Sequence, residues 1–285
     1  MANQNILILG SDGSLGKELA AQFTGANISF IGANRQNFNF ELDDAKIIQM
    51  LKDNNIYLIL NCVAMIGLDN CSKNRKGALW ANYYLAKKIA NISKILNINL
   101  LHFSTDNVFS CIEKNYLYDI HSTPYPLTWY GITKYLGEQA VIAAGKNIIR
   151  MPMLFGPTNE NQLISKLIDK LKSGARIKVS KDIYTTPTYT PDIVEWICNQ
   201  VIYPNSLEND IVHLTGNKLI SLYDFVCALA EKLDLAQNID GALNDDFPSS
   251  EYKPKYGGLK SNHKNTFSFD DSLIKFSNFL QGASK

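Results

Sequence analysis

The chain of 285 residues is 46% hydrophobic and carries a formal net charge of +1. It can bury a large core, and its near-neutral charge gives no support for nucleic acid or an anionic membrane surface as a partner. No apolar run approaches the ~20 residues of a membrane helix, and no signal peptide precedes the first predicted strand. The cysteines are odd in number and lack metal-ligand spacing, so we expect reduced thiols in a cytoplasmic protein without a metal site: Cys62, Cys71, Cys111, Cys198 and Cys227.

The first strong pattern is a strand, a glycine-rich turn and a helix near the N-terminus. Ile6 to Leu9 is typical of a short buried strand, and Lys17 to Phe23 carries apolar residues at helical spacing. Three glycines lie between or beside them: Gly10, Gly13 and Gly16. Such a turn lets the backbone approach a diphosphate, which the N–H groups of the following helix bind. The pattern predicts a dinucleotide site, and the alternative is a tight turn without a ligand.

A second predicted strand, Ile28 to Gly32, is followed by Arg35. An acidic residue at this point would bind the 2′-hydroxyl of NAD, whereas a guanidinium suits the 2′-phosphate of NADP. We therefore expect NADP, with NADPH preferred and NAD left open; the alternative for Arg35 is a solvated loop residue. The segment 37–43 is predicted to be extended, and Asp43-Asp44 to begin a helix through Leu51.

Two further predicted strands lead into residues suited to a ligand crevice. Tyr57 to Asn61 runs into Cys62-Val63-Ala64, small apolar residues that could line a bound nicotinamide nucleotide. Leu100 to Phe103 stops at Ser104-Thr105-Asp106. Open α/β sheets bind ligands at the carboxyl ends of their strands, so both segments are candidate site residues.

The alternation of strands and helices predicts a doubly wound parallel sheet in residues 1–150 and a smaller lobe in residues 151–285, interleaved with a late sheet strand. Asn82 lies within a long predicted helix, either exposed or buried and bracing the next strand. The remaining predicted helices are 75–96, 127–144, 163–172, 191–203, 222–233 and 267–280, and the remaining strands are 147–150, 177–179 and 211–214.

Tyr130 and Lys134 are four residues apart in a predicted helix, so both side chains lie on one face. A nearby ammonium would lower the pKa of the phenol from its usual ~10 and let it exchange protons near neutral pH. Lys134 could also hydrogen-bond a nicotinamide ribose, and Ser104 or Thr105 the same carbonyl oxygen as the phenol. The spacing alone is weak evidence, but the glycine turn and the polar strand end make the combination specific.

Together these motifs resemble the extended short-chain dehydrogenases/reductases, and within them the dTDP-4-dehydrorhamnose reductase family. The resemblance covers about two thirds of the chain in six stretches: Gly10–Gly16, Asn61–Ala64, Phe103–Phe109, Tyr130–Glu138, Arg150–Gly156 and Thr186–Asp192.

The resemblance implies a sheet of order 3-2-1-4-5-6, a C-terminal sugar-nucleotide lobe and reduction of a nucleoside-diphosphate-linked 4-keto-6-deoxy sugar for surface polysaccharides such as lipopolysaccharide. NADPH would supply hydride, Tyr130 would protonate the alkoxide, Lys134 would hold Tyr130 and the ribose, and Thr105 would polarise the carbonyl. It also implies contacts to the cofactor from Gly10, Ser11, Asp12, Gly13, Ser14, Leu15, Gly16, Arg35, Cys62, Val63, Ala64, Tyr130, Lys134 and Met153, and to the substrate from Ser104, Thr105, Asp106, Asn107, Tyr130, Met153 and Thr186.

Substrate-side positions depart from the family pattern. The family usually has Tyr at Asn107, Asp-Gly at Ser110-Cys111 and often an aromatic residue at Met153. We therefore expect the hydride chemistry to be retained while the sugar stays open. A nucleotide-sugar epimerase or dehydratase and a non-catalytic, NADP-binding regulatory subunit are the alternatives, and a homodimer is implied by the resemblance alone.

Overall fold

The computed structural model describes residues 4–158, 162–204, 211–249, 251–262 and 267–282. Its strands are β1 (Asn5–Leu9), β2 (Phe30–Ala33), β3 (Ile56–Asn61), β4 (Asn99–Thr105), β5 (Asn147–Met151), β6 (Leu154–Phe155), β7 (Ile177–Ser180), β8 (Tyr184–Thr185), β9 (Thr188–Tyr189), β10 (Ile211–His213), β11 (Ile220–Ser221), β12 (Ile239–Ala242) and β13 (Tyr256–Gly257). Its α-helices are α1 (Ser14–Gly25), α2 (Asp44–Asp53), α3 (Leu68–Lys73), α4 (Arg75–Leu79), α5 (Leu85–Leu96), α6 (Trp129–Ala143), α7 (Leu163–Lys172), α8 (Thr190–Ile197), α9 (Leu222–Glu231) and α10 (Phe269–Gly282). No helix in these ranges is both long enough and apolar enough to cross a membrane.

A six-stranded parallel sheet forms the centre of the fold, in the order β10-β5-β4-β3-β1-β2. The predicted Rossmann-type α/β class is confirmed. The implied order 3-2-1-4-5-6 is wrong in one respect. It requires the third strand to lie outside the second, whereas β3 lies beside β1, and β2 is the edge strand among the described residues. The segment 37–43, predicted as extended, forms turns that lead into α2, whose N-cap is Asp43 as predicted.

Alternate residues of the central strands enter two different cores. Ile6 and Ile8 pack with α1 and α8 on one face, whereas Leu7 and Leu9 pack with α2, α5 and α6 on the other. Since both faces are covered, the strands are apolar along most of their length, as parallel strands require. The carboxyl edge between β1, β3 and β4 is therefore the part of the sheet left for polar residues.

The second half of the chain builds a core of its own and also contributes to the central sheet. Helices α7, α9 and α10 enclose that third core around Phe155, Phe225 and Phe276. Three small sheets accompany it, in the orders β11-β8-β13, β12-β7 and β6-β9. β10 pairs with β5, and α8 covers one sheet face. The predicted division into two domains at residue 150 thus stays a prediction. β10 and α8 follow residue 150 in the chain but pack with the central sheet.

The predicted helix 75–96 consists of three helical segments. A π-helical turn, Trp80–Tyr84, separates α4 from α5, and α3 precedes them without having been predicted. A π turn rotates the helical register, and such turns are frequent at functional sites. Here the turn carries Asn82, which is fully buried.

A buried ion pair joins α6 to β5. Arg150 donates to both carboxylate oxygens of Glu138, from Nε at 2.9 Å and from Nη2 at 2.7 Å. Its guanidinium also lies over the ring of Phe109, 5.1 Å from the centroid. Both charged side chains are at most 2% exposed, so each charge depends on its partner for solvation.

We expect Arg150→Met to lower the free energy of unfolding by about 3–5 kcal/mol, because it leaves the Glu138 carboxylate buried without its counter-ion. The matched control is Arg176→Met, whose pair with Asp240 is largely exposed and should change stability by less than about 1 kcal/mol. Urea unfolding of both variants measures the difference. Equal losses for the two variants would contradict the assigned importance of burial.

Candidate active site

The glycine turn brings the ends of β1 and β3 together. Gly10 has φ +79°, and a Cβ there would lie 3.1 Å from the backbone N of Val63. At Gly16 a Cβ would lie 2.2 Å from the carbonyl oxygen of Gly10, which no side chain tolerates. Both positions therefore require glycine, one for its backbone conformation and close neighbour, the other for the contact of helix and turn.

The N-terminus of α1 is open to an anion. Gly13 is the N-cap and supplies no side-chain cap, and the first turn carries no acidic residue. The first N–H groups of a helix, here from Ser14, Leu15 and Gly16, have no partner within it. Gly10 and Ser11 instead donate their N–H groups to the carbonyl of Ala33, at 2.7 and 3.2 Å. The helix terminus thus suits a diphosphate, while Asp12 is exposed at the tip of the turn.

Arg35 is exposed in the turn after β2. The Asn34 carboxamide fixes this turn by accepting hydrogen bonds from the backbone N of Gln36 at 2.8 Å and of Asn37 at 3.2 Å. The backbone that carries Arg35 is therefore fixed at the carboxyl end of β2, and the side chain is accessible to a phosphate.

The segment Cys62-Val63-Ala64 follows β3 and is half-buried. Beyond it, Asn82 on the π turn accepts from the backbone N of Met65 at 2.8 Å and donates to its carbonyl at 3.0 Å. Asn82 also donates to Thr133 on α6 at 3.0 Å. The buried alternative for Asn82 is confirmed, but it braces the loop after β3 against α6 and not the next strand.

Helix α6 approaches the sheet edge unusually closely. Thr128 caps it by accepting from the Gly131 backbone N at 3.0 Å. A Cβ on Gly131 would lie 2.1 Å from the carbonyl oxygen of Asn107, and one on Gly137 would lie 2.1 Å from that of Asn82. Gly131 therefore lets the helix present Tyr130 and Lys134 to the end of β4, and Gly137 lets it pack against the π turn.

A chain of hydrogen bonds connects the phenol to the end of β4. Thr105 Oγ1 donates to Asp106 Oδ1 at 2.9 Å and accepts from the Asn107 backbone N at 3.2 Å. The Tyr130 phenol hydrogen-bonds Thr105 as well. The hydroxyl proton of Thr105 is thus directed to Asp106. Thr105 can then polarise a carbonyl only if its hydroxyl turns away from Asp106.

The predicted lowering of the phenol pKa is wrong. Burial is the largest influence on Tyr130 and raises its pKa; the bond to Thr105 opposes this, and the charge of Asp106 adds to it. The amine of Lys134 is instead directed at β4, where Nζ donates to the carbonyl of Phe103 at 2.5 Å. The phenol therefore holds its proton at neutral pH.

Lys134 and Asp106 are both shifted toward their neutral forms. Lys134 is 2% exposed, and burial lowers its pKa to about 8 against the opposing charge of Glu138. Burial raises the pKa of Asp106 to about 6, although hydrogen bonds from Thr105 and Asn107 oppose the rise. Asn107 Nδ2 reaches Asp106 Oδ1 at 2.9 Å, so the residue that departs from the family pattern contacts this carboxylate.

The other predicted substrate residues occupy different surroundings. Ser104 is buried, and its enclosed hydroxyl has no hydrogen-bond partner among the described residues; a substrate contact from Ser104 stays a prediction. Met153 is half-buried between β5 and β6. Thr186 is buried, and its hydroxyl accepts from Thr215 at 2.6 Å and from the Leu259 backbone N at 3.2 Å. A substrate contact from Thr186 stays a prediction, and its hydroxyl already has partners inside the protein.

Sequence reasoning missed residues that act behind the site. Asn61, at the end of β3, and His102, in the middle of β4, lie under Lys134. Asn61 begins one of the stretches of the resemblance, but no spacing pattern points to His102. Gly131 and Gly137 could have been found, because two glycines inside a predicted helix indicate a close backbone approach.

Comparison with known proteins supports the resemblance. The family described as the RmlD substrate binding domain matches residues 4–281. The chain belongs to this family. It is 25% identical over 271 residues to the rat methionine adenosyltransferase 2 subunit beta, covering 90% of this chain and 80% of that protein. It is 24% identical over 261 residues to the dTDP-4-dehydrorhamnose reductase of Mycolicibacterium smegmatis, covering 90% and 78%.

A solved structure has the same fold throughout. The dTDP-4-dehydrorhamnose reductase of Bacillus anthracis, determined in complex with NADP, aligns with a TM-score of 0.89 at 24% identity, covering 98% of this chain and 99% of that one. The family and the fold expected from the motifs are confirmed by these matches.

We expect Asp106→Asn to remove a pH dependence of stability. The raised pKa means that the folded state keeps a proton which the unfolded chain has released, so this group makes the free energy of unfolding fall as pH rises from about 4 to about 6. The difference in unfolding free energy between variant and wild type should therefore change across that range. Urea unfolding at several pH values measures it, with Glu113→Gln, an exposed acid in the following loop, as the control; a constant difference would contradict the assignment.

Proposed function

We propose that the protein reduces a nucleoside-diphosphate-linked 4-keto-6-deoxy sugar with NADPH, in surface polysaccharide synthesis. The observation that carries the proposal is the meeting of the Tyr130 phenol, the Thr105 hydroxyl and the buried Lys134 amine beside an uncapped glycine turn. Family membership and the reductase relatives support the same reaction class.

In this proposal the residues have separate tasks. The amides of α1 would bind the cofactor diphosphate, and Cys62-Val63-Ala64 would lie along the nicotinamide nucleotide. NADPH, when bound, supplies the hydride. The phenol, whose pKa is raised, keeps a proton for the carbonyl oxygen, which gains charge only as the carbon is reduced. Lys134 would hold the cofactor ribose, and Ser104 would contact the substrate at the strand end.

The position of Arg35 supports NADPH over NADH. Its exposed guanidinium follows β2 where the adenosine ribose lies in dinucleotide folds. The two-part organisation serves the same function in the proposal, with residues 1–150 binding the cofactor and residues 151–285 the sugar nucleotide. A homodimer is part of the proposal on family resemblance.

A non-catalytic regulatory subunit is the second candidate. It is favoured by the similarity to methionine adenosyltransferase 2 subunit beta and by the departures at Asn107 and Met153. Such a protein would bind NADP without consuming it and would purify with another enzyme. Retention of Tyr130, Thr105 and Lys134 in contact with β4 favours the reductase.

We expect Tyr130→Phe to lower turnover about 10²–10⁴-fold, because the phenol proton has no substitute at the carbonyl oxygen. NADPH binding should change little. The assay is NADPH oxidation against a panel of nucleoside-diphosphate 4-keto sugars, and Tyr135→Phe on the same helix is the control. Unchanged turnover in the Tyr130 variant would remove its role as the acid, and a wild type that binds NADPH but oxidises it with no panel member would favour the regulatory candidate.

We expect Arg35→Ala to weaken NADPH binding about 10- to 100-fold, the loss of a charged hydrogen bond, and to leave NADH binding nearly unchanged. The control is Lys46→Ala, an exposed cation on α2. Fluorescence titration with both nucleotides measures the effect. Equal losses for NADPH and NADH would exclude a contact to the 2′-phosphate.

A further inference from the structure

A second hydrogen-bond chain runs beneath Lys134. Asn61 Oδ1 accepts from the backbone N of Val63 at 3.2 Å, and Asn61 Nδ2 lies 3.0 Å from His102 Nδ1. On the far side of the ring, His102 Nε2 lies 3.4 Å from Lys134 Nζ. Both Asn61 and His102 are at most 1% exposed, so water does not satisfy these groups.

The chain has a fixed direction. A backbone N–H only donates, so Val63 holds the oxygen of the Asn61 amide and turns its NH₂ group toward His102. The ring nitrogen Nδ1 must then accept. Burial, aided by the charge of Lys134, lowers the pKa of His102 well below its usual value, so the ring is neutral and carries its single proton on Nε2.

An N–H is thereby directed at the nitrogen of Lys134. An ammonium has no lone pair to accept it, whereas a neutral amine does. The other groups whose charge acts on Lys134 are Glu138 on α6 and the thiols of Cys62 and Cys71. Glu138 is already neutralised by Arg150, and burial raises the pKa of both thiols, so the ring is the neighbour that opposes the ammonium at short range.

We propose that Asn61 and His102 are positioning residues that fix the ring tautomer and thereby ease the loss of a proton from Lys134, so that ammonium and neutral amine interconvert close to physiological pH. The amine accepts from His102 and donates to Phe103. Protonation turns Lys134 into an ammonium with an added donor. No bond to carbon is formed or broken in this change; one proton passes between Lys134 and solvent.

The consequence for the proposed reductase, which rests on the function above, is a pH-dependent grip on the cofactor. The ammonium is the better donor to ribose hydroxyls, so NADPH binding should weaken as pH rises through the pKa of Lys134, which is about 8. The hydrogen-bond chain from Asn61 through His102 to Lys134, called the relay below, can be tested in the protein without cofactor. Failure of the relay and failure of the proposed function are therefore distinguishable.

The direct test is nuclear magnetic resonance of protein labelled with ¹⁵N-histidine and ¹³Cε-lysine. Signals are assigned by their loss in His102→Phe and Lys134→Gln. We expect His102 to be protonated on Nε2 and not on Nδ1, and Lys134 to titrate near pH 8. A proton on Nδ1 would overturn the proposal. The tautomer is read in the wild-type protein, and the variants serve only to assign the signals.

Asn61→Asp tests the causal step with an isosteric change. One carboxylate oxygen still accepts from Val63, but the other now needs a proton from His102 Nδ1, so Nε2 becomes an acceptor for the ammonium. The midpoint of the Lys134 titration should rise by about one unit or more, a tenfold change in proton affinity. In a His102→Phe background, Asn61→Asp can act on Lys134 only through its negative charge, because no ring is present to change tautomer. The Lys134 midpoint should then rise less than half as much as it does when His102 is present.

Equal shifts in the two backgrounds, or an unchanged midpoint in Asn61→Asp, would overturn the relay. If NADPH binding by the wild type is independent of pH between 7 and 9 while the resonance results stand, the relay holds and the cofactor contact of Lys134 fails.

Discussion

The close approach of α6 to the end of β4 is the constraint on which the site depends. Gly131 and Gly137 stand where a Cβ would lie 2.1 Å from a carbonyl oxygen. Lys134 lies between them on the helix and reaches the carbonyl of Phe103 only because the helix is this near. A side chain at Gly131 would push the helix away from the segment after β4 and separate Tyr130 from Thr105, and one at Gly137 would push it away from the π turn. Two absent side chains thus let α6 pack against both neighbours.

Much of the fold could be predicted because its signals are local. The strand β1, the glycine turn and α1 follow from apolar periodicity and from three glycines, all within twenty residues. The end of β4 and the Tyr130–Lys134 spacing were equally accessible, since parallel strands place their carboxyl ends at one edge. These features needed no knowledge of which distant residues would become neighbours.

The parts that could not be predicted depend on contacts between residues far apart in the chain, which override the local sequence pattern. The pattern at 75–96 suits an unbroken helix, yet a π turn intervenes and directs Asn82 to Met65 and Thr133. The sequence places an ammonium one helical turn from Tyr130, but its influence on the phenol depends on where the amine points. That direction is set by Phe103 and His102, which lie about thirty residues away in the chain.

The pKa shifts at the site have a common direction. Burial raises the pKa of Tyr130 and of Asp106 and lowers that of Lys134, so each group is pushed toward its neutral form. An alkoxide that develops on a substrate here meets few fixed charges and gains most by taking the phenol proton. Donation leaves a tyrosinate in the same water-poor surroundings, which is the form that burial disfavours, so the phenol must regain a proton before the next turnover.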